Sequence, residues 1–220
     1  MKKILAVFMM CMVVFGLTAC GGEEEKREES ANANATEATE VTTESETEDE
    51  TSSDNEDGQS GKSLIVYFSA TGNTEAVAEI FAEEKNLDIY EIVPEQPYTD
   101  ADLDYNDSSS RSTVEQNDEN ARPAISGSIE NIEDYDVIYV GFPIWWGDMP
   151  RILYTFFDNY DLSGKTIAPF ATSGGSGISG AVESIRELEP EGTVTEGLLT
   201  SASNAESDLN EWLGSIGLEQ

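Results

Sequence analysis

The chain has 220 residues, with 45 acidic side chains against 11 basic ones and no histidine. A formal charge of −34 disfavours nucleic acid and anionic lipid surfaces as partners and suits a basic protein or a small redox carrier. The missing histidines remove the usual general base and the usual metal ligand, and only Cys11 and Cys20 supply thiols.

Residues 1–20 read as a processing signal. Lys2-Lys3 is a charged start, Ile4 to Gly16 is an apolar stretch too short to span a bilayer as a mature helix, and Leu17-Thr18-Ala19-Cys20 closes it. The tetrad resembles the lipobox of bacterial lipoproteins. That resemblance implies that Cys20 carries a lipid anchor and that Cys11 leaves with the signal. The mature chain then has no other thiol, which excludes a disulfide, a zinc cluster and a cysteine nucleophile, and no metal is expected.

Residues 21–61 hold 15 acidic residues against Lys26 and Arg27, with hardly any apolar content. Such a segment cannot bury enough surface to offset its ordering entropy. As a flexible coil it would reach roughly 35 Å in r.m.s. terms, so it reads as a solvated tether.

Residues 62–220 are long enough for one domain with a sizeable core. Leu64 to Phe68 is a short β-branched and aromatic run, followed by a hydroxyl-rich turn and a helical pattern from about Asn73 through Val77, Ile80 and Phe81. Leu87 to Val93 alternates like a second strand. Pro94 to Arg122 is polar and without sustained periodicity, and is expected to supply a poorly packed crossover helix plus loop. Val137 to Phe142 predicts a third strand buried on both faces. Thr166 to Ala171 predicts a fourth, although Pro169 fits badly in a central strand. Val194 to Thr200 predicts a fifth, and Leu209, Trp212, Leu213 and Ile216 mark one face of a last helix. Ser203 and Glu206 ahead of it have the capping-box spacing. Alternating β and α elements argue for a parallel sheet covered on both faces.

Three strand ends carry unusual chemistry, and in an open parallel sheet ligands bind beyond the carboxyl ends of the strands. The first, Ser69-Ala70-Thr71-Gly72-Asn73-Thr74, surrounds a helix start with hydroxyls and amides, an anion nest that needs no Lys or Arg. The second, Pro143-Ile144-Trp145-Trp146-Gly147, offers a rigid aromatic surface, with one tryptophan expected to pack inward; Asp148 and Pro150 lead into the next helix. The third, Thr172-Ser173-Gly174-Gly175-Ser176-Gly177, has side chains so small that a planar ring can lie against backbone amides. Together they suit a phosphorylated planar heterocycle.

In these three loops the domain resembles the flavodoxins of the short-chain type. Ser69–Thr74 matches their phosphate loop, and the Pro143–Gly147 and Thr172–Gly177 stretches match the two isoalloxazine loops of a bacterial flavodoxin-like subgroup. The resemblance implies a doubly wound five-stranded parallel α/β sheet of order 2-1-3-4-5 with helices on both faces, the arrangement for which flavodoxin itself is a standard example. It implies FMN as cofactor, held by Ser69, Thr71, Gly72, Asn73, Thr74, Pro143, Ile144, Trp145, Trp146, Gly147, Thr172, Ser173, Gly174, Gly175 and Gly177. No side chain stands out as a proton donor, so the flavin carries the chemistry. The domain's 30 acidic and seven basic residues predict a low potential for the reduced, more negative cofactor.

The third loop lacks the aromatic with which many flavodoxins cover the second ring face. Three function classes follow: an electron carrier that docks a redox partner protein, an FMN-dependent reductase of quinones or other small acceptors, and a surface lipoprotein that binds flavin without turnover. An extracytoplasmic location on the cell membrane favours a membrane-bound electron donor, because NAD(P)H is scarce there. Two other patterns lead elsewhere. Gly58 to Ser63 mimics the end of a Walker A motif, but Glu56 stands where its first glycine belongs, and it precedes a strand. Gly175, Gly177 and Gly180 spell G-x-G-x-x-G with Glu196 roughly 20 residues on, but they follow the fourth strand and leave the other two loops unexplained.

Overall fold

A computed structural model describes residues 61–219; the expected signal, Cys20 and nearly all of the acidic tether lie outside the described residues. β1 (Ser63–Tyr67) is buried along its whole length. Successive side chains of a strand point to opposite faces, and here both faces are apolar. Leu64, Val66 and Phe68 join one core cluster, and Ile65 and Tyr67 join the other.

α1 (Asn73–Lys85) returns along the sheet with Val77, Ala78 and Phe81 buried. β2 (Asp88–Glu91) pairs in parallel with β1. β3 (Val93–Pro94) and β4 (Ile125–Ser126) form a small antiparallel pair that closes the base of the crossover. Between them lie turns and one short helix, α2 (Arg111–Asn117). A 3₁₀ turn at Ile132–Asp134 leads into β5 (Val137–Pro143), which is followed by α3 (Arg151–Asn159), β6 (Thr166–Thr172) and α4 (Ser179–Leu188). β7 (Thr193–Val194), β8 (Leu198–Leu199) and α5 (Ala205–Ile216) complete the domain.

The main sheet is parallel in the order β2-β1-β5-β6-β7, with β8 also beside β6. With the β3/β4 pair set aside, this is the expected order 2-1-3-4-5. α1 and α5 cover one face through Phe81, Leu209 and Trp212. α3 and α4 cover the other through Ile152, Leu153, Phe156 and Ile185.

The expected fifth strand is two short pieces, and Pro169 explains why. β7 matches Thr166 and Ile167 of β6, whereas β8 matches Phe170 and Ala171 with one extra residue between the two registers. The strand therefore bulges opposite Ala168 and Pro169, where proline has no N–H to offer. The carbonyl freed at Glu196 accepts the indole N–H of Trp212 at 2.8 Å. Gly197 is needed there, because a Cβ would lie 2.8 Å from Ile178 and 2.9 Å from Val182. One cap is corrected: Ser203 and Glu206 form no capping box. α5 starts after Asn204 without a side-chain cap, and the Ser203 hydroxyl lies 3.0 Å from that of Ser201.

Candidate cofactor site

A cavity of about 420 Å³ opens at the carboxyl ends of β1, β5, β6 and β8. Its wall takes Ala70, Thr71, Asn73 and Ala76 from the first loop and α1, and Pro143 to Trp146 from the second loop. Thr172 to Gly174 come from the third loop. Two further segments that no sequence motif marks complete it: Thr200 to Ala202 after β8, and Leu103, Tyr105 and Ser112 of the crossover.

The first loop turns on Gly72, whose φ of +81° belongs to the left-handed region. No side chain caps α1, which leaves its first-turn amides without a side-chain partner at the cavity. The Asn73 amide nitrogen instead donates to the Thr71 hydroxyl at 3.0 Å. Thr74 points inward, 2.9 Å hydroxyl to hydroxyl from Thr172, and so ties the first loop to the third. Ser69, Gly72 and Thr74 are not in the wall itself.

The second loop is a tight hairpin. Trp145 and Asp148 exchange both backbone hydrogen bonds, at 2.9 and 3.0 Å. The two corner residues, Trp146 and Gly147, have φ of +51° and +84°. This matches a type I′ turn, and a tryptophan in that region is an outlier for so bulky a side chain. Trp145 packs inward, edge-on to Phe68 at 5.8 Å and to Tyr98 at 5.3 Å. Trp146 stays 48 % exposed, edge-on to Tyr105 at 6.2 Å.

Gln116 of α2 holds this hairpin. Its side-chain amide donates to the carbonyls of Trp145 and Met149 at 3.1 and 3.3 Å, and its oxygen accepts the Arg151 N–H at 3.1 Å. Asp148 braces the other side, accepting the Tyr154 hydroxyl at 2.7 Å. Gly180 abuts the turn so closely that a Cβ would lie 2.5 Å from the Gly147 carbonyl oxygen. That close packing accounts for the last glycine of the G-x-G-x-x-G pattern, and Glu196 instead pairs with Arg186 at 3.1 Å.

The third loop folds around Ser173, whose hydroxyl accepts the N–H groups of Gly175 and Ser176 at 3.0 and 2.8 Å. Those two amides are spent within the loop, and Gly147, Gly175 and Gly177 lie outside the wall. The Ile144 N–H donates to Thr172 O at 2.8 Å and joins the second loop to the third.

Tyr98 anchors the crossover. Its ring lies edge-on to Phe68 and Trp145, the Arg111 guanidinium covers it at 4.0 Å, and its hydroxyl donates to Glu115 at 2.6 Å. Burial first, then the hydrogen bond to Glu115, push that hydroxyl well above the usual tyrosine range. Beside the first loop, burial and then the charges of Glu91, Glu75 and Glu79 push Tyr67 up to about 12.

The wall contains no charged side chain. Its polar groups are hydroxyls, one amide and the start of α1, a donor set that suits a phosphate bound without a cation. Its apolar groups are the aromatic and aliphatic surfaces a planar ring needs. The Ser112 hydroxyl is buried with no hydrogen-bond partner. Among the described residues, no cluster of acidic or thiol side chains is arranged to hold a metal ion. These residues fit a flavin mononucleotide.

A family model described as flavodoxin matches residues 62–216. The chain belongs to the flavodoxin family. Among solved structures, this flavodoxin is 44% identical to a candidate flavoprotein from Bacteroides eggerthii, over 72% of this chain and 99% of that one, with a TM-score of 0.66. A candidate flavoprotein from Bacteroides uniformis is also 44% identical, over 70% and 98% of the two chains, with a TM-score of 0.66. A flavoprotein from Lactobacillus acidophilus, solved in complex with FMN, is 25% identical over 67% and 97%, with a TM-score of 0.51. No curated protein matches the chain.

Proposed function

We propose that this flavodoxin binds FMN in the cavity and transfers electrons to a redox partner, tethered to the outer face of a bacterial cell membrane through Cys20. One observation carries the cofactor assignment: an uncharged cavity at the strand ends joins uncapped helix amides to a tryptophan platform. The Lactobacillus relative in complex with FMN supports it. FMN supplies the redox chemistry when bound. The chain's own residues bind and orient it: Thr71, Asn73 and the α1 amides face the phosphate, and Trp145 and Trp146 face the ring. With no cation in the wall, no charged side chain there offsets added negative charge on the cofactor, which supports a low potential.

A second reading, an FMN-dependent reductase of quinones or similar small acceptors, draws on the mouth of the cavity. There Tyr105 and Trp146 are exposed and the third loop carries no aromatic ring.

Titration of FMN fluorescence against the protein, with riboflavin as control, tests the cofactor assignment. Saturable quenching far stronger for FMN than for riboflavin is expected, and no quenching by either overturns it. Turnover of a water-soluble quinone by the reduced protein would select the reductase. Incorporation of labelled fatty acid into the expressed protein, abolished in Cys20→Ala, tests the anchor.

A further inference from the structure

Tyr105 is the most exposed large apolar side chain among the described residues, at 75 %, and it belongs to the cavity wall. Nothing in its own loop calls for an aromatic side chain there. The turn from Asp104 to Asp107 is closed by the Asp107 N–H on Asp104 O at 3.1 Å. The Asp104 carboxylate also accepts the Asn106 N–H at 2.9 Å. Asp104 sets the turn, as aspartate does at a first turn position, and the Tyr105 side chain takes no part in it. The Tyr105 ring instead meets Trp146, the exposed corner of the second-loop hairpin, with centroids 6.2 Å apart and planes at 74°. That contact places the ring at the mouth of the cavity, beside the exposed indole.

The third loop has no aromatic residue between Thr172 and Gly177 with which to cover a planar ligand. A planar ring at an open mouth keeps one side in water, and a second ring laid against it, stacked or edge-on, is favourable. We propose that Tyr105 of the crossover covers the solvent side of a planar ring held in the cavity, replacing the aromatic that the third loop lacks. The proposal rests on the cavity being the flavin site. The contact is made by the aromatic ring and not by the hydroxyl, so Tyr105→Phe keeps it and Tyr105→Ala removes it.

The test compares wild type, Tyr105→Ala and Tyr105→Phe as full-length protein, by FMN titration, visible absorption of the bound flavin and melting without ligand. Ligand-free Tyr105→Ala is expected to melt with wild type, because the side chain stands mostly in water. A clear fall would mean that the ring serves the fold, and would overturn the proposal. Tyr105→Ala should weaken FMN binding about fivefold to tenfold and move the bound flavin's visible bands toward those of free FMN. Tyr105→Phe should restore both. Unchanged affinity and bands, or a loss that Tyr105→Phe shares, would overturn the proposal. Repeating Tyr105→Ala on a Trp146→Asn background separates contact with the flavin from support of the indole. A loss that persists there is direct contact, and a loss that vanishes overturns the proposal. Failure of wild type to bind FMN overturns the flavin reading first, and this proposal with it.

Discussion

The two sides of the cavity are held by different forces. On the sheet side, the loops spring from strands whose central residues, such as Ile65, Val66, Ile138 and Val140, have no exposed surface. They are joined to one another by the Thr74–Thr172 hydroxyl pair and by the Ile144 N–H on Thr172 O. On the crossover side, the chain from Tyr98 to Asn117 has little apolar core of its own. Aspartate side chains tie its turns: Asp102 accepts from Thr99 at 2.7 Å, Asp104 from the Asn106 N–H at 2.9 Å and Asp107 from Ser109 at 2.6 Å. Burial makes the first wall rigid, whereas a few polar side chains make the second. Segments of the second kind open before the core does.

Four substitutions sharpen that contrast. The largest effect is expected at Gly141, where a Cβ would lie 2.3 Å from the buried Phe170 ring. Gly141→Ala should lower urea stability by about 3 kcal/mol, because a close-packed sheet side cannot shift. On the crossover side, Gln116→Leu strands the carbonyls of Trp145 and Met149 and should cost about 2 kcal/mol. Hydrogen exchange should rise mainly in residues 98–117 and 145–149; an even rise across the sheet would erase the distinction between the walls. Trp146→Asn replaces a bulky left-handed residue with one that tolerates the conformation, and should stabilise the ligand-free protein by about 1 kcal/mol. The same change should weaken FMN binding by removing the exposed ring at the mouth.

The smallest effect is expected at Glu189, at the far end of α4 from the hairpin. Burial first, then the Asp161 charge, raise its carboxyl to about 7. A carboxyl whose folded value lies above its unfolded one disfavours folding once ionised. Stability should therefore decline as pH rises from the ordinary carboxylate range to about 7, then level off. Urea midpoints across that window check this. Glu189→Gln should remove the decline without altering FMN affinity, which separates this pole of the domain from both walls.

The sheet side was readable in the sequence, because its strands are continuous apolar runs that end in hydroxyl- and glycine-rich turns. The inward and outward division of Trp145 and Trp146 also followed from the shortness of the turn. The crossover was readable only as a helix plus loop. α2 inverts the usual pattern: Ser112 and Thr113 are buried while Val114 is 54 % exposed, so no hydrophobic period marks its packed face. Gln116 acts on residues far along the chain and sits in no motif. Tyr98 gave no signal because its neighbours in sequence are polar and its ring partners are distant. Pro169 flagged a difficulty in the fourth strand, but its solution, a bulge in the fifth, depends on pairing that a single strand does not reveal.

The placement of the three tryptophans makes the protein its own optical probe. Trp212 lies against Phe81 and Tyr139 on the α1/α5 face of the sheet, Trp145 is wedged into the cavity wall, and Trp146 stands at the mouth. Variants retaining one indole at a time would separate the signals of the far core, the wall and the entrance. Loosening of the crossover, arrival of a ligand and global unfolding would then register as three distinct changes in emission from a single, unlabelled chain.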